Sequence, residues 1–323
     1  MSISNKKRKA RRRTLGLLSA AALASALPQS VLGQAKAALR IGFQKYGTLT
    51  ILKARGTLEK RLAAQGVEVK WVEFPSGPVL LEALNVGSID FGTVGEAPPI
   101  FAQAAGANLV YIANEPPAPL SEAIVVPKNS ALQTVADLKG KKVALNKGSN
   151  VHYLLVKALE KAGLEYKDVE TVFLPPSDAR AAFERGSVDA WVIWDPFLAA
   201  AEKQLGARIL ADGRGLVANH QFFLAARTYA EKHPDVIRTV LDELTNVDDW
   251  ARQNIREVAT ILATQIGLDV SVVELAASRY NYGVKPVSDA VLAEQQKIAD
   301  VFAGLKLIPR KIVVKDATLR AKL

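Results

Sequence analysis

A short motif occurs twice in the 323-residue chain, and its repetition is the feature that most constrains the fold. Gly87-Ser-Ile-Asp90 is matched 99 positions later by Gly186-Ser-Val-Asp189. At the same offset, the acid of a Gly-Glu-Ala-Pro run, Glu96, is matched by the acid of a Trp-Asp-Pro run, Asp195. Internal similarity of this kind is typical of repeated structural units, and the chain is too long for one ordinary core. The sequence therefore predicts two similar lobes.

Each copy of the motif ends a predicted βαβαβ unit. The apolar runs predicted as strands are 39–43, 67–71 and 89–94 in the first unit, and 142–145, 171–174 and 188–193 in the second. Glycines or polar residues end the helices between them. Ligands bind beyond the carboxyl ends of strands in open α/β sheets, so Glu96 and Asp195 are expected at a cleft between the lobes. The Gly-Ser-x-Asp motif itself is interpreted as structural.

Two connecting segments and a helical region complete the predicted organisation. Residues 115–126 and 213–225 are interpreted as crossovers between the lobes. Helical periodicity predicts helices that pack on the first lobe or brace the hinge, at 234–252, 255–266, 270–279 and 289–303. The predicted domains are a signal peptide at 1–35, a first lobe at 36–118 plus 222–323, and a second lobe at 119–221.

The stretch from Val143 to Leu155 predicts a strand, a polar turn and the first turn of a helix. Ser149 or Asn150 is a suitable N-cap, and apolar residues then recur at helical spacing until Gly163. The first N–H groups of a helix have no intrahelical partner, and the helix dipole adds positive charge there. The turn can thus hold an anion without a buried cation. The alternative is an ordinary strand-to-helix connection, which also needs small capping residues.

The N-terminus has the organisation of a secretory signal. Seven Lys and Arg residues between Lys6 and Arg13 precede an apolar run from Leu15 to Leu27, and Gly33-Gln-Ala35 offers a cleavage site. An Arg-Arg pair at 12–13 leaves both the general and the twin-arginine export routes open. The sequence contains no cysteine, which excludes an N-terminal lipid anchor, disulfides and thiolate metal sites.

The net charge does not indicate nucleic-acid binding. Of the 42 Lys and Arg residues, the signal contains seven and no acid, so 35 remain against 32 Asp and Glu, a net charge of +3 rather than +10. Beyond residue 35, no apolar stretch approaches the roughly 18 residues of a membrane span.

Several runs together carry a resemblance to a known family. They are Ile41-Gly-Phe-Gln44, Gly77-Pro78, Asp90-Phe-Gly-Thr-Val-Gly-Glu-Ala-Pro-Pro99, Leu145-Asn-Lys-Gly-Ser-Asn-Val-His152 and Asp189-Ala-Trp-Val-Ile-Trp-Asp-Pro196. The ordered set resembles the aliphatic-sulfonate-binding periplasmic proteins of ABC importers, in the sulfonate, taurine and nitrate group.

The resemblance implies an α/β protein with the type II periplasmic-binding-protein fold, whose two lobes enclose a ligand cleft at a two-crossover hinge. It implies an extracytoplasmic substrate-binding component that takes up sulfonates for sulfur supply. The expected partners are an organosulfonate and an ABC permease with its ATPase. A periplasmic monomer is expected, without a lipid anchor, a cofactor, a metal or nucleic acid.

Ten residues are candidates for ligand binding. A sulfonate is ionised at any biological pH and has three equivalent oxygens, so its site needs several donors. Gln44 and the 148–150 turn could supply them, with neighbours nearby. Acidic candidates would face polar or cationic ligand groups, orient donors, or pair across the cleft. The ten are Gln44, Gly77, Glu96, Asn146, Gly148, Ser149, Asn150, His152, Trp194 and Asp195.

Three of these candidates have further interpretations. Gly77 suits close backbone approach to an organic tail. Trp194 could cover an alkyl chain or pack in the core beside Trp191. His152 could contact ligand, or it could instead lie at the surface or cap its helix, and the spacing of the other histidines, His220 and His233, predicts no metal site.

Two alternatives to sulfonate binding remain open at this stage. The first is a receptor of the same fold for taurine, nitrate or a cationic heterocycle, because the sequence does not define the tail pocket. The second is an enzyme of the same fold, such as the pyrimidine-synthesising proteins and desulfinases. Those enzymes depend on a cysteine, which is absent from this chain.

Overall fold

Two β-sheets with helices packed against them organise residues 37–319, the part of the chain that the computed structural model describes. The predicted signal peptide and its cleavage site lie outside these residues. The strands are β1 (Ala37–Phe43), β2 (Val67–Glu73), β3 (Phe91–Gly95), β4 (Leu109–Asn114), β5 (Glu122–Val126), β6 (Lys142–Leu145), β7 (Glu170–Phe173), β8 (Ala190–Trp194), β9 (Arg208–Asp212), β10 (Gln221–Ala226) and β11 (Lys285–Pro286).

Twelve α-helices connect and cover the strands within the described residues. They are α1 (Thr48–Arg55), α2 (Thr57–Ala63), α3 (Gly77–Asn85), α4 (Pro98–Ala104), α5 (Asn150–Lys161), α6 (Pro176–Glu184), α7 (Phe197–Leu205), α8 (Arg227–Lys232), α9 (Pro234–Gln253), α10 (Ile255–Ile266), α11 (Val270–Arg279) and α12 (Asp289–Gly304). The predicted α/β fold class is confirmed, and the four long C-terminal helices begin and end within a residue of their predicted bounds.

The predicted repeat is present in both sheets. The first sheet has the order β11-β4-β10-β3-β1-β2, and the second has the order β7-β6-β8-β5-β9. In each, the first strand of the repeat lies between the second and third and is parallel to both. Asp90 accepts the backbone N–H of Arg40 at 2.8 Å, and Asp189 accepts that of Lys142 at 2.8 Å. The repeated Asp therefore ties neighbouring strands together, as its structural interpretation predicts.

The segments interpreted as crossovers are shorter than predicted, because each continues directly into a strand. β5 lies antiparallel between β8 and β9, and β10 lies antiparallel between β3 and β4. The connections between the sheets are therefore 115–121 and 213–220. The β-branched run in 122–126 was the signal for the first of these strands.

The C-terminal helices contact both lobes. Residues of α9 and α10 share a buried apolar cluster with β1 and α1. On the other side, α11 packs on α7, where Val272 and Ala276 meet Ala199 and Ala200. Arg279 at the end of α11 also donates to Glu202 of α7 at 2.6 Å. This region therefore braces the two lobes.

Among the helices of residues 37–319, none combines the length and the apolar character needed to cross a membrane.

Candidate functional site

A cavity of about 60 Å³ lies between the two sheets, at the carboxyl ends of β1, β3 and β8. Six of the ten predicted site residues line it: Gln44, Gly77, Ser149, Asn150, Trp194 and Asp195. They come from both lobes, as the predicted position of the cleft requires. Nine further residues complete the lining: Tyr46, Gly47, Thr93, Gly95, Pro98, Ser121, Asn219, Gln221 and Tyr280.

Four helices begin at the cavity; α4 begins with Pro98 and Pro99, which have no N–H group, so the other three supply the donors. Gly47 is the N-cap of α1, Gly77 is the first residue of α3, and Ser149 is the N-cap of α5. The N–H groups at the very start of these three helices have no intrahelical partner, and the helix dipoles add partial positive charge at the cavity. The residues that line the cavity include no Lys or Arg. Attraction for an anion therefore comes from the backbone rather than from a cationic side chain.

The side chains at the start of α5 use their hydrogens within the protein. The Ser149 hydroxyl donates to the Asn146 carbonyl oxygen at 2.7 Å. The Asn150 amide donates one hydrogen to Glu122 and the other to Asn219 Oδ1 at 3.1 Å. Among the groups at the start of α5, these contacts leave backbone N–H groups rather than side-chain hydrogens as the donors available to a ligand.

Gln44 follows β1 and lines the cavity from the first lobe. Its amide donates to the Thr93 carbonyl oxygen at 3.3 Å. An amide group carries two hydrogens, so one remains for a ligand. The structure thus places a neutral donor of the first lobe in the same cavity as the α5 turn of the second.

Gly77 lines the cavity and is packed closely against Pro98 and Val94. A Cβ atom at this position would lie 2.9 Å from Pro98 Cγ and 3.1 Å from Val94 Cβ. A side chain here would therefore displace its neighbours.

Trp194 and Trp191 lie in different surroundings. Trp191 is buried in the core against Phe183, with ring centroids 5.9 Å apart. Trp194 is partly exposed at the cavity and packs edge-on against Phe197. The apolar face available to an alkyl chain is therefore that of Trp194.

Asp195 is the one carboxylate in the cavity lining, and it is 2% exposed. Its Oδ1 accepts the N–H of Ala199 at 3.0 Å and lies 3.6 Å from Arg279 Nη1, whereas Oδ2 has no partner. Burial raises the pKa of Asp195 to about 7, and the positive charge of Arg279 opposes this shift. The group can therefore accept a hydrogen bond from a ligand.

The four other predicted residues, Glu96, Asn146, Gly148 and His152, do not line the cavity. His152 is fully buried behind the turn, where Nδ1 accepts the Gly148 N–H at 3.3 Å and Nε2 lies 2.7 Å from the Tyr166 hydroxyl. Burial, assisted by the charge of Lys147, lowers the pKa of His152 to about 4. The ring is therefore neutral near pH 7 and acts as an internal cap, the structural alternative for this residue.

Glu96 and Asn146 also act behind the cavity. Glu96 is buried and accepts the backbone N–H of His220 at 3.1 Å, and burial raises its pKa to about 7. The carbonyl oxygen of Asn146 accepts from Ser149. Both residues hold the segments from which the cavity is built.

Sequence reasoning missed residues that reach the cavity from distant segments. Thr93, Gly95 and Pro98 lie within the run at 90–99 that carried the resemblance, so a signal for them existed. Asn219 has φ of 52° and Tyr280 follows α11. Neither position has a recognisable motif around it, because its role depends on chain segments far away in sequence.

The chain is similar along most of its length to proteins named for binding sulfonates. A protein of Escherichia coli named for binding aliphatic sulfonates is 47% identical over 303 residues, covering 93% of each chain. The structure of the alkanesulfonate-binding protein SsuA of Xanthomonas axonopodis pv. citri, bound to MOPS, is 44% identical, with a TM-score of 0.84 over 88% of this chain and 99% of that one. The periplasmic aliphatic sulphonate binding protein SsuA of Escherichia coli is 46% identical, with a TM-score of 0.80 over 88% and 93% of the two chains.

These similarities confirm the predicted fold and the resemblance to sulfonate-binding proteins. The family model described as the NMT1-like family matches residues 33–263, which is more than half of the sequence. The chain therefore belongs to the NMT1-like family.

Proposed function

We propose that this protein is the extracytoplasmic substrate-binding component of an ABC importer and that it binds aliphatic sulfonates. The observation that carries the proposal is the convergence of three helix N-termini from both lobes on a cavity whose lining contains no Lys or Arg. Proteins of 44–47% identity that cover most of the chain are named for binding sulfonates. They are named as binding proteins, which supports a role without catalysis.

The chemistry of a sulfonate suits this cavity. The group has one negative charge and three equivalent acceptor oxygens, and helix N–H groups with Gln44 supply neutral donors to them. Without ligand, such a site leaves no unpaired cation buried, which would be costly. Trp194, Pro98 and Tyr280 offer apolar surface to the organic tail.

The buried, unpartnered Oδ2 of Asp195 favours a second candidate. Because it can accept a hydrogen bond from an ammonium group, an aminosulfonate such as taurine could bind through both of its ends. Nitrate, which has no tail, would leave both Asp195 and Trp194 without a contact.

We expect the protein to deliver its ligand to a permease driven by a separate ATPase. We place the mature chain in the periplasm as a monomer without a lipid anchor. The first lobe, 36–118 plus 222–323, and the second, 119–221, would then close around the ligand by bending at the two connections.

Calorimetry of the mature protein tests the proposal against butanesulfonate, taurine, nitrate and sulfate. We expect butanesulfonate to bind and sulfate to bind poorly, because the second charge of sulfate has no cationic partner and Asp195 opposes it. In a series of longer alkanesulfonates, each added CH₂ that is buried should contribute up to about 0.8 kcal/mol. Trp194→Ala should reduce that increment, whereas Trp250→Ala, away from the cavity, should not. Tighter binding of sulfate than of any sulfonate would refute the proposal.

A further inference from the structure

A buried hydroxyl lies between two carboxyl groups at the start of α1. Thr48 Oγ1 is 2.6 Å from Glu115 Oε1 and 2.7 Å from Asp248 Oδ1, and none of the three residues is more than 1% exposed. A hydroxyl has one hydrogen, so it can donate to only one of the two carboxyls. The other short oxygen–oxygen contact needs a second hydrogen, which a protonated carboxyl would supply.

The remaining oxygens of the two acids face donors. The Tyr280 hydroxyl bonds to Glu115 Oε2, and the Gly283 N–H donates to Asp248 Oδ2 at 2.9 Å. Both contacts are satisfied by an ionised acid, so neither removes the need for a hydrogen at Thr48.

Within the described residues, no Lys or Arg forms an ion pair with either acid. The titratable and charged groups that interact electrostatically or by hydrogen bonds with the two acids are Tyr46, Tyr280, Tyr282 and Arg252. Arg252 is more than half exposed and is bonded to Asp249. Two buried carboxylates without a paired cation would repel each other strongly. Burial, followed by the nearby charge of Asp248, accordingly holds the pKa of Glu115 well above its usual range.

This cluster lies next to the cavity. Gly47, the residue before Thr48, lines the cavity, as does Tyr280, whose hydroxyl bonds to Glu115. Glu115 also begins the first connection between the sheets. An anion held at the α1 N-terminus would therefore lie near the acid pair.

We propose that Glu115 and Asp248 share one proton through Thr48, and that sulfonate binding strengthens the hold on this proton, so that ligand affinity depends on pH. The inference rests on the proposed function, because it takes the anion to bind at the N-terminus of α1. Glu115 and Asp248 then act as positioning residues, since they hold Thr48 and Tyr280 without touching the ligand.

The sign of the effect follows from linkage. A bound anion adds negative charge near the pair and raises its pKa, so the complex keeps the proton to a higher pH than the empty protein does. Affinity is then greatest at low pH, falls as pH rises through the pKa of the empty pair, and becomes constant above the pKa of the complex. One proton limits the slope to about tenfold in Kd per pH unit. The sulfonate stays ionised throughout and contributes no pH dependence of its own.

The experiment is calorimetry with butanesulfonate from pH 6 to 9, in imidazole and Tris buffers, which differ in ionisation enthalpy and contain no sulfonate. The difference in measured heat between the buffers gives the number of protons taken up on binding. We expect net uptake and weaker binding at higher pH for the native protein. Glu115→Gln should take up fewer protons than the native protein, because an amide keeps the hydrogen-bonding groups but does not titrate here. Asp195, which lines the cavity and has a pKa of about 7, contributes equally in both proteins.

A matched control is Glu243→Gln. Glu243 is a buried acid on the same helix as Asp248, but it pairs with Arg61 at 3.1 Å and does not line the cavity. This variant should keep the proton uptake of the native protein.

Two results would overturn the inference. One is a native protein that binds butanesulfonate with the same Kd and no proton uptake across the pH range, a measurement that does not depend on any variant folding. The other is an unchanged pH profile in Glu115→Gln, or in Thr48→Val if the first variant does not fold. Absence of butanesulfonate binding at every pH would instead refute the proposed function.

Discussion

Gly95 offers a direct test of closure between the lobes. It ends β3 in the first lobe, and a Cβ atom built there would lie 3.0 Å from Cβ, 3.1 Å from Cγ and 3.2 Å from Oδ1 of Asn150 in the second lobe. Its φ is not positive, so alanine causes no backbone strain at this position. Gly95→Ala therefore acts almost entirely by forcing Asn150 away.

The expected size of the effect follows from the contacts. Three heavy atoms would have to move by a few tenths of an ångström, and Asn150 is held in place by Glu122 and Asn219. Overpacking of this kind typically costs about 1–3 kcal/mol, which corresponds to a loss of about 5- to 150-fold in affinity. If the lobes separate in the empty protein, as proposed, this contact forms only on closure, and the cost should then appear in binding and not in the stability of the empty protein.

Calorimetry with butanesulfonate and ligand-free thermal unfolding would separate these effects, with small-angle scattering to report compaction. Gly304→Ala is a suitable control, because a Cβ at Gly304 would meet no atom within 4 Å. If Gly95→Ala binds as tightly as the native protein and compacts to the same radius, the contact between Gly95 and Asn150 does not form part of the closed state.

Three other changes have defined outcomes. Gln44→Ala should weaken sulfonate binding by about 1–3 kcal/mol with little change in the ligand-free Tm, whereas a lower Tm at unchanged affinity would assign Gln44 to helix capping alone. Gly148→Asp should abolish binding measured by calorimetry, because φ is 74° and the new carboxylate adds a negative charge beside the anion-binding turn; unchanged affinity would remove the turn from the site. His152 has a pKa of about 4, below its ordinary 6.5, so the unfolded chain binds a proton that the folded chain does not, and stability falls as pH drops between these values. Urea unfolding should show that His152→Gln reduces this loss by up to about 3 kcal/mol at pH 4; an equal acid sensitivity in both proteins would contradict the shift.

The elements that sequence alone could predict are those with strong periodicity or a repeat. The helix at 150–161 and the four C-terminal helices have apolar residues at regular spacing and clear ends. Sequence alone does not separate the strands β5 and β10 from the crossovers, because an antiparallel strand inserted between two others is defined by partners far away in sequence.

The same limit applies to the site. Asn150 was recognisable as a capping residue beside a turn, but its amide hydrogens are taken by Glu122 and Asn219, which are 28 and 69 positions away. His152 is recognisable from the sequence as a polar residue near the turn, yet its burial depends on aromatic residues of both lobes, including Phe101 of the first and Phe173 of the second. Spacing along the chain indicates which residues come near a site, and only tertiary contacts decide which groups face it.

The separation of the tryptophans has a consequence for spectroscopy. The chain has four, and only Trp194 is among the residues that line the cavity. Trp191 is buried in the core, Trp71 packs against Phe43, and Trp250 lies under Arg55. Ligand that covers Trp194 would change the emission of one indole while three others provide a constant background. The fluorescence of Trp194 can therefore report ligand binding. In a variant with phenylalanine at the other three positions, this emission alone would measure the occupied fraction of the protein without any attached dye.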